Sequence, residues 1–312
     1  MAPHGALRVA LLLALALVVS CDTGLGSTTD SSPYITQVFD YKYGVGQHAS
    51  LVGPDGMAHA QRFVGTDSRF VYLGGWGGYI VAGFDHDVPN LSGKKDFAVY
   101  TQPGVGDEPG VVFVMADVNG NGLPDDIWYE LSGSETGKCY NTTDCYIRDY
   151  QVTYFRPTES DDNIIWEDNQ DPQGYGELVP GFGDSSASWW WEGRGNVDKV
   201  TFSGVKLPNS KHQVGSDWND FVDRHTWGYA ENYSGTDLRT LPFGTTTRTA
   251  NVFDIGNAVD GDGNPVSLPS IRFIKIQTGV FQIAGWLNEV STEVSGAVSL
   301  HHPDIAAKID WQ

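Results

Sequence analysis

Along most of this chain, short apolar runs alternate with clusters of Gly, Pro, Asn and Asp, and no stretch carries the 3.6-residue period of a long amphipathic helix. The runs at Tyr34–Phe39, Arg69–Leu73, Lys94–Tyr100, Gly110–Met115, Ile127–Leu131 and Ala250–Asp254 are rich in β-branched and aromatic residues, which predicts strands. Ile271–Thr278 alternates apolar and polar side chains as a half-buried strand does. The pattern predicts an all-β fold, a sandwich or barrel, as a single domain over residues 34–312. From Cys139 to Tyr233 it becomes irregular, which predicts long aromatic-rich loops between short strands.

Glycines interrupt this pattern most densely at Leu73-Gly74-Gly75-Trp76-Gly77-Gly78. Glycine in a strand marks a bulge or a close approach of another chain segment or ligand. The favoured reading is that these glycines let strands bend while Trp76 fills the core.

Between the strands at Gly110–Met115 and Ile127–Leu131 lies Asp117-Val118-Asn119-Gly120-Asn121-Gly122-Leu123-Pro124-Asp125-Asp126. Side-chain oxygens stand at positions one, three, five, nine and ten, with Gly122 at six. That spacing suits calcium, which takes six to eight oxygens at flexible geometry. Asp117, Asn119 and Asn121 would supply side chains, Leu123 its carbonyl, and Asp125 and Asp126 the closing carboxylates. Position twelve is Trp128 instead of a bidentate Glu and the flanks read as strands, so this is not an EF-hand. The alternative is an Asn-Gly turn that binds nothing. A shorter cluster, Asp260, Asp262 and Asn264, is a weaker second candidate, because Asp-Gly and Asn-Pro already form turns unaided.

The first residues change the setting. Arg8 precedes an apolar run from Val9 to Val19, too short to span a bilayer as a helix. The following Ser20-Cys21 resembles the lipobox of bacterial lipoproteins. Residues 1–20 are therefore expected to be a lipoprotein signal peptide, Cys21 the lipidated residue, and 21–33 a flexible tether. Cys139 and Cys145 remain, and in an exported protein such a pair is expected to close a small disulfide loop. Metal binding by two thiols alone fits less well. The net charge of −20 argues against nucleic acid as a partner. The same carboxylate excess suits cations.

Read together, several segments carry a resemblance. They are Leu73-Gly-Gly-Trp76-Gly-Gly78, Gly83-Phe-Asp-His86, Asp117 to Asp126, Trp128-Tyr-Glu-Leu131, Trp166-Glu-Asp-Asn169, Trp227-Gly-Tyr-Ala230, Phe253-Asp-Ile-Gly256 and Glu289-Val-Ser-Thr-Glu293. In this order they resemble a family of Bacteroidota-type cell-surface lipoproteins. The resemblance implies a jelly-roll-like β-sandwich at the outer surface, associated with nutrient uptake, in some relatives beside outer-membrane transporters including those for corrinoids.

Candidate ligand-binding residues come from the tryptophan-rich segment. Trp189, Trp190, Trp191, Trp218 and Trp227 offer ring surface, and Glu192 and Arg194 offer directional polar groups, as in sugar or planar-ligand sites. Burial of these rings in a core fits equally well. Glu289 and Glu293 would share one face of a strand, suited to a cation or to solvent. His301 and His302 read as surface residues. No nucleophile elbow and no His-Glu-x-x-His pair is present, and nothing singles out a pair of carboxylates for hydrolysis. The expectation is a calcium-stabilised surface lipoprotein that binds a glycan or other nutrient, possible corrinoid ligands included, beside an outer-membrane transporter. The alternatives are a polysaccharide hydrolase with an acidic pair, or a structural adhesion protein.

Overall fold

In the computed structural model, residues 31–101, 106–159, 162–180, 190–191, 193–285 and 287–309 are described, and from Ser31 onward they belong to one compact unit. The segment expected as a signal peptide, Cys21 and most of the expected tether lie outside them. Among the described residues no helix is long and apolar enough to cross a membrane. Antiparallel strands dominate. In chain order these are β1 (Gln37–Lys42), β2 (Val71–Tyr72), β3 (Tyr79–Pro89), β4 (Phe97–Thr101), β5 (Gly110–Met115), β6 (Tyr129–Leu131), β7 (Ile147–Phe155), β8 (Ile164–Asp168) and β9 (Tyr175–Leu178). Then follow β10 (Lys199–Lys206), β11 (Lys211–Val214), β12 (Asp217–Asp220), β13 (Leu238–Phe243), β14 (Thr246–Phe253), β15 (Ala258–Val259), β16 (Ser270–Thr278) and β17 (Glu293–Ser299). The helices α1 (Ala49–Val52), α2 (Gly56–Ala60) and α3 (Pro303–Ala306) are single turns.

Two sheets form an all-β sandwich. One runs β1-β3-β16-β5-β6-β15 and the other β13-β14-β4-β17-β2. The chain passes back and forth between them, with β3 and β5 in the first and β4 in the second, then β16 in the first and β17 in the second. Between the sheets Ile80, Ala82, Phe84, Val112, Val114, Ile274 and Ile276 meet Phe97, Val99, Phe253, Val294 and Ala297 in one buried cluster. Each of the larger side chains among them contributes roughly 1.5–3 kcal/mol on removal from water. Every residue of β17 is buried, because its other face packs with Tyr100, Leu241, Phe243 and Ile305 of α3 in a second cluster.

A third sheet, β10-β7-β8-β9, packs beside the sandwich. Here the structure departs from the loop-rich segment expected between Cys139 and Tyr233. In β7 only Tyr150, Val152 and Tyr154 are buried, with exposed or half-buried polar residues between them. That alternation suits a sheet with one wet face. The glycine-rich segment joins this sheet to the sandwich. Trp76 is 1 % exposed, donates its indole N–H to the Val205 carbonyl at 3.2 Å, and stands edge-on to Tyr150 at 4.8 Å. Its glycines permit backbone contact. A Cβ on Gly75 would lie 2.3 Å from the Val45 carbonyl oxygen, and one on Gly77 would lie 2.4 Å from Phe202 Cβ.

Candidate functional site

The loop from Asp117 to Asp126 joins β5 to β6, neighbouring antiparallel strands, and is organised from within. Asp117 accepts the backbone N–H groups of Asn121 at 3.1 Å and Gly122 at 3.0 Å. Asn119 accepts from Asn121 N–H at 3.0 Å, and Asn121 from Leu123 N–H at 2.7 Å. The side-chain amides of Asn119 and Asn121 both reach Asp125, at 2.9 and 3.0 Å. These donors hold the Asp125 carboxyl below its usual range. Gly120 and Gly122 take φ of 71° and 72°, the left-handed region that glycine enters without steric cost. The side chains at positions one, three, five and nine therefore turn toward one another, while Asp126 accepts Val118 N–H at 2.8 Å.

At the weaker candidate, Asp260 accepts the N–H groups of Asp262 at 3.0 Å and Asn264 at 2.8 Å, and the amide of Asn264 at 3.2 Å. That is a closed Asx turn. Asp260 edges a groove of about 460 Å³ shared with Lys275, Glu130 and Arg148.

The tryptophan-rich candidates separate. Trp190 and Trp191 are 2 % and 1 % exposed, in a cluster with Val45, Trp76, Tyr154 and Phe202, so their rings offer no surface to a ligand. They can be neighbours and both buried because they lie in a turn, where side chains need not alternate. Arg194 donates to the Tyr43 carbonyl at 2.6 Å, and its guanidinium lies over the rings of Tyr43, Trp191 and Phe202. It braces the fold from inside. Trp218 is partly buried beside an acidic cavity, and Trp227 is exposed. Trp189 and Glu192 lie outside the described residues. The two histidines are not at the surface as expected. His301 meets Asp96 at 2.9 Å, and His302, 4 % exposed, caps α3 through its ring nitrogen.

A cleft that the candidate residues above do not include opens between the third sheet and the segment after β16. It holds about 570 Å³ and is lined by Trp166, Tyr150, Phe281 and Ile283, with Asp168 and Lys206 as polar groups. Trp166 comes from β8. Its ring lies on Gly176 of β9, where a Cβ would come within 2.8 Å, and meets Phe281 edge-on at 4.9 Å. The Trp166 indole N–H is buried without a hydrogen-bond partner. Tyr150 donates its hydroxyl to Asp168 at 2.8 Å, and Asp168 also accepts Gly174 N–H at 2.7 Å and Gln170 N–H at 3.1 Å. The outer wall is the loop closed by the Cys139–Cys145 disulfide, whose Thr143 carbonyl accepts from Lys206 at 3.3 Å.

Four glutamates gather elsewhere, at one end of the sandwich. Carboxylate oxygens of Glu108, Glu231 and Glu293 lie within 4.8 Å of one another. Glu108 precedes β5, and Ala230, next to Glu231, pairs with Gly110 through reciprocal backbone hydrogen bonds of 2.9 Å. Glu293 opens β17, and its backbone N–H donates to the Glu231 carboxylate. Glu231 is fully buried with φ at 50°, a backbone state that costs a non-glycine residue about 1–3 kcal/mol. Asn251 of β14 holds the neighbouring Asn232 through its side-chain amide at 2.8 Å. Glu289, 6 % exposed, accepts Gln47 N–H at 2.7 Å. Glu289 and Glu293 are therefore buried, not set on a solvated strand face.

Burial raises the carboxyls of Glu231, Glu289 and Glu293 well above their usual range, and the neighbouring glutamate charges add to it. Glu108 is pushed up to about 7, chiefly by burial, with Lys211 and the Ser291 N–H opposing. Two ionised carboxylates at 4.8 Å repel by roughly 3 kcal/mol at an effective dielectric constant near 20. Sequence spacing alone marks only Glu289 and Glu293, since topology brings Glu108 and Glu231 to them. Comparison with models of known protein families and with curated proteins finds no match.

Proposed function

We propose that this chain is a binding module for a glycan or another small nutrient with a flat apolar face. The observation that carries this reading is the cleft at Trp166, where an aromatic floor meets the fixed polar groups Asp168 and Lys206. Ring faces supply contact area while a few placed polar groups supply direction. Asp168 already accepts from three donors, which suits a positioning group better than a general acid. Binding is thus favoured over polysaccharide hydrolysis.

In the same reading, calcium orders the loop from Asp117 to Asp126, whose five oxygen-bearing side chains suit the six to eight oxygens calcium takes better than the three of the closed turn at Asp260 do. Export with a lipid anchor at Cys21 agrees with the Cys139–Cys145 disulfide, since such bonds persist in oxidising compartments. An outer-membrane transporter would be the natural recipient of the ligand. Calorimetric titration with oligosaccharides and with cobalamin, calcium present, tests the reading. Saturable binding without product release, lost in Trp166→Ala, is the expected result. Product release, or binding unchanged by Trp166→Ala, would overturn it.

A further inference from the structure

We propose that Glu108, Glu231 and Glu293 form a binding site for a hard divalent cation, with Glu289 and Gln47 supplying further oxygens from the adjoining cavity wall. The site is independent of the Trp166 cleft and of the loop from Asp117 to Asp126. Its donors are oxygens throughout, the set that calcium, magnesium and manganese take and that softer metals do not prefer. Carboxylate oxygens from three separate elements, before β5, after Ala230 and at the start of β17, converge within 4.8 Å.

A cluster of acids alone would not establish a site. The oxygens beside it add a second observation. Glu289 Oε2, Gln47 Oε1 and Glu231 Oε1 are all buried with no hydrogen-bond partner on the protein. Glu289 and Gln47 are 6 % and 9 % exposed, and with Glu108 they line one cavity of about 430 Å³. Buried polar atoms are almost always paired, so three orphan acceptors at one place call for a shared partner. A proton on one carboxyl would give a partner to one neighbouring acceptor only, whereas a single cation is shared by all the oxygens around it.

The fold also leaves room for these carboxylates at some cost to itself. A Cβ on Gly46 would lie 1.9 Å from Glu289 Oε2, so only glycine accommodates that carboxylate. The nearby cation Lys211 is engaged with Asp220 at 2.8 Å, lines the same cavity and works against the rise that burial gives the Glu108 and Glu231 carboxyls. One lysine so paired leaves the four glutamates uncompensated, and a divalent ion among them would offset two of their charges.

The test is a titration of the full chain with Mn²⁺ by calorimetry, in wild type, Glu231→Gln, Glu293→Gln and Asp117→Ala. Loss of a bound equivalent in both glutamine variants, with Asp117→Ala retaining it, is the expected result. Equal stoichiometry and affinity in wild type and both glutamine variants would overturn the proposal. Should the variants fail to fold, wild-type crystals soaked in Mn²⁺ decide it. An anomalous peak among the three carboxylates supports the site, and no peak there refutes it. Neither result depends on ligand binding at Trp166.

Discussion

Arg224 Nη1 lies 2.7 Å from Asp144 Oδ2, and both side chains are buried. Asp144 stands inside the disulfide loop, and its other oxygen accepts Asn209 N–H at 2.7 Å. The guanidinium is also clamped between the rings of Tyr140 and Phe221, each 3.6 Å away. Together these contacts fix the outer wall of the Trp166 cleft to Asn209, just before β11, and to the segment that follows β12.

Removing one partner of such a pair leaves the other charge buried and alone, which costs about 3–5 kcal/mol. Arg224→Ala should therefore lower the urea midpoint substantially and weaken ligand binding at the cleft. Equilibrium unfolding monitored by fluorescence measures the first effect. A variant as stable as wild type would show that the pair adds nothing.

Calcium at the loop from Asp117 to Asp126 should stabilise the folded chain by mass action, about 2.7 kcal/mol at a concentration one hundred times Kd. In a domain of this size that raises Tm by roughly 2–4 °C per kcal/mol. Asp117→Ala should abolish the increment that millimolar calcium produces in calorimetric scans. Identical increments in the two proteins would remove the loop from consideration.

His225 is 1 % exposed, and burial pushes its imidazole down to about 4, against the Glu135 charge and a hydrogen bond to the Pro208 carbonyl, which raise it. Its folded pKa thus lies below the unfolded value near 6.5, so the folded state prefers the neutral ring. That contribution is fully present above about pH 6.5 and is lost as pH falls toward about 4. Its full size is on the order of 3 kcal/mol. Unfolding free energies of wild type and His225→Asn, compared at pH 7 and pH 4.5, should converge at the lower pH. A ring proton titrating near 6.5 by NMR would contradict this.

Gly204 of β10 faces Gln277 of β16, whose amide donates to the carbonyls of Gly77 and Ser203, each at 3.0 Å. A Cβ at Gly204 would lie 1.8 Å from Gln277 Oε1. Gly204→Ala must displace that fully buried amide, and overpacking of this kind costs roughly 1–3 kcal/mol. Chemical denaturation of the variant gives the value directly.

Two strands were readable from residues alone. Ile271–Thr278 lies within β16, as its mostly alternating pattern predicts, and Gly110–Met115 coincides with β5, a continuous apolar run that is buried on both faces. The disulfide and the buried Trp76 also follow from local signals. β7 was harder, since its inward residues include two tyrosines and its outward ones are mostly polar or charged. Trp190 and Trp191 suited a ligand surface and the core equally well, and the core holds them because a turn, unlike a strand, can bury neighbours together. The Trp166 cleft depends on Phe281, distant in sequence, and the acidic centre on the segment at Glu231 bridging β5 at Gly110 while meeting the start of β17 in the other sheet. No local pattern encodes those meetings.

Trp76 sits where the sandwich and the third sheet touch, against Tyr150, which also borders the cleft. Phe281, a further wall of the cleft, lies 6.3 Å from the same indole. An occupant of the cleft is thus separated from a fully enclosed fluorophore by a single ring. The protein carries its own optical reporter, and its emission should respond when the cleft fills.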